Sequence, residues 1–146
     1  MFKINSTYKA KDVEEGLDRI FYRPFGYILA LGAKVARLTP NMVTFLSMII
    51  GVIAGRLLYY NYFNFDIAAI LLLILSEALD SADGQLARMT QKYSKIGRIL
   101  DGLATNLTFI SIYIHLCFRM INIGYTDAIF LIALICGMSH SVQSAV

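Results

Sequence analysis

The apolar residues of this chain fall in long blocks, at 41–60, 67–79, 99–118 and 128–138, separated by short polar stretches. Blocks of this kind predict membrane-spanning helices. The first opens with Thr39 as N-cap, Pro40 at the first helical position and Asn41, and runs to about Tyr60. A polar turn, Asn61 to Asp66, leads into the second block. Its 13 residues from Ile67 to Leu79 make only about 20 Å of helix against a hydrocarbon core of roughly 30 Å. The helix is therefore expected to continue past Asp80 to about Met89, and polar side chains at membrane depth are tolerated only where they line a wet cavity. A third span is expected from about Gly97 to Ile121, and a fourth beginning near Asp127. Ahead of them, residues 12–38 mix charge with Leu17, Ile20, Phe21, Phe25, Ile28, Leu29 and Val35 at helical spacing. This predicts an amphipathic helix lying on the membrane surface, interrupted near Pro24 and Gly26.

Composition sharpens the assignment. At 146 residues, 58% hydrophobic and 16% charged, the chain is too apolar to hide its surface in one small water-soluble core. The expected fold is all-α: a polytopic membrane helix bundle of four spans with an N-terminal interfacial helix, forming a single domain over 1–146. The first 24 residues lack the apolar core of a secretory signal, so the N-terminus is expected to stay with the mature chain. Cys117 and Cys136 lie in apolar stretches and read as small buried hydrophobes, not as disulfide, redox or metal groups. His115 and His140 have no second ligand at metal spacing and read as packing residues that hydrogen-bond between helices.

Charge sets the orientation. Seven of the 13 Lys and Arg residues lie in residues 1–39, and Arg88, Lys92, Lys95 and Arg98 lie between the second and third spans. Eleven of 13 thus share one side, which the positive-inside rule makes cytoplasmic, with the N-terminus on it. Arg56 and Arg119 fall near the opposite helix ends, where snorkelling to the outer interface accounts for them. Membrane lipids are the expected surroundings, and no nucleic-acid partner is expected.

The candidate chemistry sits where the second helix turns polar. Asp80, Asp83, Gly84, Ala87 and Arg88 are spaced i, i+3, i+4, i+7 and i+8, which puts them on one helix face. On the next helix Gly97, Asp101 and Thr105 recur every fourth residue. If antiparallel packing joins the two stripes, three carboxylates converge and repel unless a cation neutralises them. Oxygen-only ligands select a hard divalent ion such as Mg²⁺ or Mn²⁺, and Mg²⁺ typically also takes substrate phosphate oxygens. Gly84 and Ala87 leave room for a ligand, and Arg88 offers a bidentate fork for phosphate. Gly97 alone reads equally well as a close helix-packing residue. Glu77, one turn before Asp80, faces either the same cavity or a basic partner.

Taken together, DSADGQLAR at 80–88, eight residues, Gly97, three residues and Asp101 resemble the signature of the CDP-alcohol phosphatidyltransferase family, DxxDGxxAR followed at fixed distance by GxxxDxxxD. TPNMVT at 39–44 is similar to the family's usual entry to the first span. The resemblance implies a six-helix bundle in which the aspartates hold two divalent ions, and an acceptor hydroxyl attacks the phosphorus of a CDP-alcohol such as CDP-diacylglycerol with release of CMP. It would make Asp80, Asp83 and Asp101 metal ligands, with Gly84, Ala87, Arg88, Gly97, Asn41 and Thr44 binding substrate.

Two departures from the signature bear on activity. Its last aspartate, credited in the family with metal contact and general-base duty, is here Thr105. A threonine hydroxyl ligates Mg²⁺ but is no base near pH 7, and base catalysis is worth roughly 10²–10⁴ in rate. The fifth and sixth helices are also absent, so the domain is expected to be C-terminally incomplete or completed by a partner, a homodimer being one candidate. Two rivals follow: a catalytically impaired homologue that binds nucleotide or lipid as a partner protein, and a cation transporter whose acids line an ion path.

Overall fold

The computed structural model describes residues 22–125 and 135–137. Four helices are seen among them: α1 Arg23–Val35, α2 Pro40–Leu57, α3 Phe63–Thr90 and α4 Lys95–Asn122. The described residues contain no strand. The expected fourth span apart from 135–137, His140, and the part of the amphipathic segment containing Leu17, Ile20 and Phe21 lie outside them.

Helix boundaries follow local chemistry and refine several expectations. α1 begins at Arg23 with Pro24 in its first turn, a position proline tolerates. Gly26 does not break the helix either and is buried inside it. α1 ends in a Schellman pattern: Arg37 and Leu38 donate to the carbonyls of Lys34 and Ala33, with Arg37 in the left-handed region at φ 56°. The Thr39 cap is formed, Met42 N–H reaching its hydroxyl at 3.3 Å. α2 stops at Leu57, three residues early, where the last turn tightens into i to i+3 bonds through Tyr60. α3 begins at Phe63, four residues before the apolar block, with Asp66 favourably placed in its first turn. It runs on past Asp80 to Thr90, as expected, and closes with Gln91 in the left-handed region. α4 starts at Lys95 because Ser94 caps it, accepting from Gly97 N–H at 2.8 Å.

Two helices, α2 and α4, are long and apolar enough to cross a membrane. α3 is equally long as α4, but every 18-residue stretch of it holds at least three of Asp66, Glu77, Asp80, Asp83 and Arg88. Among the described residues the buried hydrophobic set is dominated by alanine, seven of 12, while Phe45, Ile49, Ile53, Ile70 and Leu71 face outward. Small residues inside and large apolar ones outside suit helices whose outer surface meets lipid.

The chain divides into two compact units. The first comprises residues 1–47 and 75–101. Within it Ser76 on α3 donates to the Ser47 carbonyl of α2 at 2.8 Å, and Gln85, fully buried, donates to the Arg23 carbonyl of α1 at 3.0 Å. The second comprises residues 48–74 and 102–146. There Ser111 on α4 donates to the Val52 carbonyl of α2 at 2.9 Å. His115 bonds the Ser111 carbonyl of its own helix at 2.7 Å, so the interhelical bond expected of it is made by Ser111.

Arg119 is held by protein, where free snorkelling was expected. Its guanidinium takes both oxygens of Asp66, at 2.5 and 3.1 Å, and Asn61 at 2.7 Å, since a fork of donors matches a carboxylate better than it matches water at this half-buried site. Arg56 is exposed and lies 4.7 and 5.2 Å from the ring centroids of Tyr59 and Tyr60. Cys117 is buried as expected, whereas Cys136 is exposed.

Candidate active site

The groups that line the site belong to the first unit, where a cavity of about 550 Å³ opens among α1, α2, α3 and α4. Asp80 and Asp83 enter it one turn apart from α3, and Asp101 from the second turn of α4. One carboxylate oxygen from each lies within 4.8 Å of the other two. Opposite ligands of a six-coordinate Mg²⁺ stand roughly 4.2 Å apart, so the three acids are nearly at the spacing of one shell. The donor set is oxygen only and anionic, which fits a hard divalent cation and disfavours a soft one. Without one, three like charges this close repel strongly.

The neighbours of the acids are fixed by the fold. Thr44, 3% exposed on α2, bonds the carboxylate of Asp83, itself 8% exposed. The same hydroxyl lies 3.1 Å from the Pro40 carbonyl, the usual back-bond of a helical threonine. Asn41, in the first turn of α2, meets the cap of α4: its side-chain oxygen is 3.5 Å from the Ser94 hydroxyl. A Cβ at Gly97 would stand 2.7 Å from that same Asn41 oxygen and 2.9 Å from the Ser94 hydroxyl. A larger residue there would force the Asn41 and Ser94 side chains to shift. A Cβ at Gly84 would meet only the Arg88 guanidinium, at 3.4 Å, which lies over the bare backbone.

Nearly all the expected residues come together. Asp80, Asp83, Gly84, Arg88, Gly97, Asp101, Asn41 and Thr44 line the cavity, as does Glu77. Ala87 and Thr105 do not: Ala87 is half-buried on α3, and Thr105 is exposed one turn beyond Asp101 on α4. Sequence reasoning missed Arg23, Ser94 and Arg98, which also line it. Only Ser94 had a signal, a serine directly ahead of a helical run.

Residues 37–145 match the sequence pattern of the family described as CDP-alcohol phosphatidyltransferase. The chain belongs to the CDP-alcohol phosphatidyltransferase family. The match takes in every signature position from Asn41 to Thr105 and leaves α1 outside it. Among individual relatives, an archaetidylinositol phosphate synthase from Pyrococcus horikoshii is 37% identical over 84 residues, covering 56% of this chain and 43% of the relative. The chain therefore spans less than half the length of that relative.

Proposed function

We propose that this chain transfers a phosphate-linked alcohol from a CDP-alcohol to an alcohol acceptor with release of CMP, at a site facing the cytoplasm of a multi-pass membrane protein. The observation that carries this reading is the convergence of three signature aspartates, from two helices, on one cavity. In the reaction the acceptor oxygen forms a bond to the phosphorus that bears the donor alcohol, the bond from that phosphorus to the CMP oxygen breaks, and CMP leaves with the electron pair. The hydroxyl proton goes to bulk water, because Thr105 offers no base.

Asp80, Asp83 and Asp101 would hold one or two Mg²⁺ or Mn²⁺ ions. Such an ion supplies Lewis acidity toward phosphoryl oxygens and neutralises charge on the leaving CMP. Arg88, resting on Gly84, is placed to take a phosphate oxygen of the donor. Thr44 orients Asp83, and Asn41 with Ser94 fixes the start of α4, so both serve the site by positioning. Eleven basic residues on one side, and helices able to span, support the multi-pass, N-terminus-inside topology with α3 as a further span.

The name of the Pyrococcus relative makes an archaetidyl donor and an inositol phosphate acceptor the first pair to assay. The test is CMP release by protein in detergent with Mg²⁺, run over several CDP-alcohols. No CMP from any of them, and none bound, would end the transferase reading.

Thr105 favours a second reading, a homologue that binds CDP-alcohol without turning it over; binding without CMP release would select it. A cation transporter is disfavoured, since the acids cluster in one cavity and Asp66 is paired with Arg119.

A further inference from the structure

Arg23 is only 3% exposed, yet it lines the cavity that holds the three aspartates. Burying a guanidinium costs several kcal/mol unless charge or hydrogen bonding compensates, and the charges of the cavity add to the contacts Arg23 makes within the fold. Its placement is tightly specified. The Arg23 carbonyl accepts from Gln85, a side chain with no exposure at all. Three residues on, a Cβ at Gly26 would stand 2.9 Å from the Ser81 hydroxyl and 3.0 Å from the Gln85 amide. α1 is thus docked onto α3 at the height of the signature, and Arg23 is the side chain that the docking delivers to the cavity.

The charge balance says what it meets there. Four cationic side chains, Arg23, Arg88, Lys92 and Arg98, line the cavity together with four acids, Glu77 and the three aspartates. These charges cancel, and each divalent ion then leaves a surplus that suits a phosphate. Lys92 and Arg98 are exposed and screened by solvent, whereas the field of Arg23 is not. Its planar fork of N–H donors matches phosphate oxygens in a bidentate way.

We infer that Arg23 is a phosphate-binding residue of this site, supplied from outside the family signature by the docking of α1 onto Gln85. The inference rests on the transferase reading and adds a phosphate contact to it. The phosphate comes either from the donor's diphosphate or from a phosphorylated acceptor.

The experiment measures binding of CDP, and of inorganic phosphate in the presence of saturating CDP, to the full chain with Mn²⁺, for wild type, Arg23→Gln and Arg23→Lys, with thermal unfolding in parallel. Arg23→Gln should weaken one probe at least tenfold with little change in unfolding temperature, and Arg23→Lys should lose at least fivefold, because an ammonium cannot reproduce the fork. Loss confined to CDP assigns the donor diphosphate, and loss confined to phosphate assigns the acceptor. If Arg23→Gln fails to fold, Arg23→Lys decides. Folded variants within twofold of wild type for both probes overturn this inference alone. Wild type that binds neither probe overturns it together with the transferase reading.

Discussion

Thr44 on α2 and Asp83 on α3, 39 residues apart in sequence, share a hydrogen bond in which the threonine hydroxyl reaches the aspartate carboxylate. Both side chains are buried, so the bond fixes which way the carboxylate faces. Partners of this kind behind a ligand typically matter 10- to 100-fold in metal affinity. Thr44→Val, which keeps the shape and removes the donor, should weaken Mn²⁺ binding by about that factor. Titration followed by electron paramagnetic resonance would measure it; unaltered affinity would mean that Asp83 is oriented by other contacts.

Asn41 and Gly97 make a second prediction. With a Cβ at 97 only 2.7 Å from the Asn41 oxygen, Gly97→Ala should destabilise the protein by roughly 1–3 kcal/mol through overpacking. Combining it with Asn41→Ala should recover part of the loss, because the clash partner is gone. A double-mutant cycle on thermal unfolding in detergent reads the coupling, and strict additivity would contradict it.

Thr105→Asp tests the impaired-frame idea. It places a carboxylate one turn beyond Asp101 on α4, at the position of the last signature aspartate, for which the family resemblance implies a metal contact and a base. CMP release should rise by about one to three orders of magnitude, provided any missing helices are supplied. Equal or lower turnover, with folding and metal binding intact, would show that Thr105 belongs to a different chemistry.

Topology is tested at Lys92, in the loop between α3 and α4. A cysteine placed there should resist an impermeant thiol reagent added to intact cells and react once the membrane is opened. Labelling from outside would reverse the orientation drawn from the basic residues.

What could be read in advance was whatever repeats at helical spacing. Asp80, Asp83, Gly84 and Arg88 are neighbours on one helix face, and the continuation of α3 past Asp80 followed from the shortness of its apolar block. Contacts made across large sequence separations were out of reach. Arg23 with Gln85, Thr44 with Asp83, and Asp66 with Arg119 lie 62, 39 and 53 residues apart. Nothing in the residues around Arg119 distinguishes a lipid-interface arginine from one that grips an aspartate. Gly26 misled for a related reason: a helix breaker in isolation, it sits inside α1 in close approach to Ser81 and Gln85.

The loop between α3 and α4 is only four residues, Gln91 to Ser94, so all three clustered aspartates are carried by a single helical hairpin. The ribosome has therefore made the whole carboxylate set once residue 101 is polymerised, before most of α4 exists. An unneutralised triad at that moment would resist entry into the bilayer. Supply of divalent ions during synthesis should consequently affect how much of this protein reaches the membrane, quite apart from any turnover it later performs.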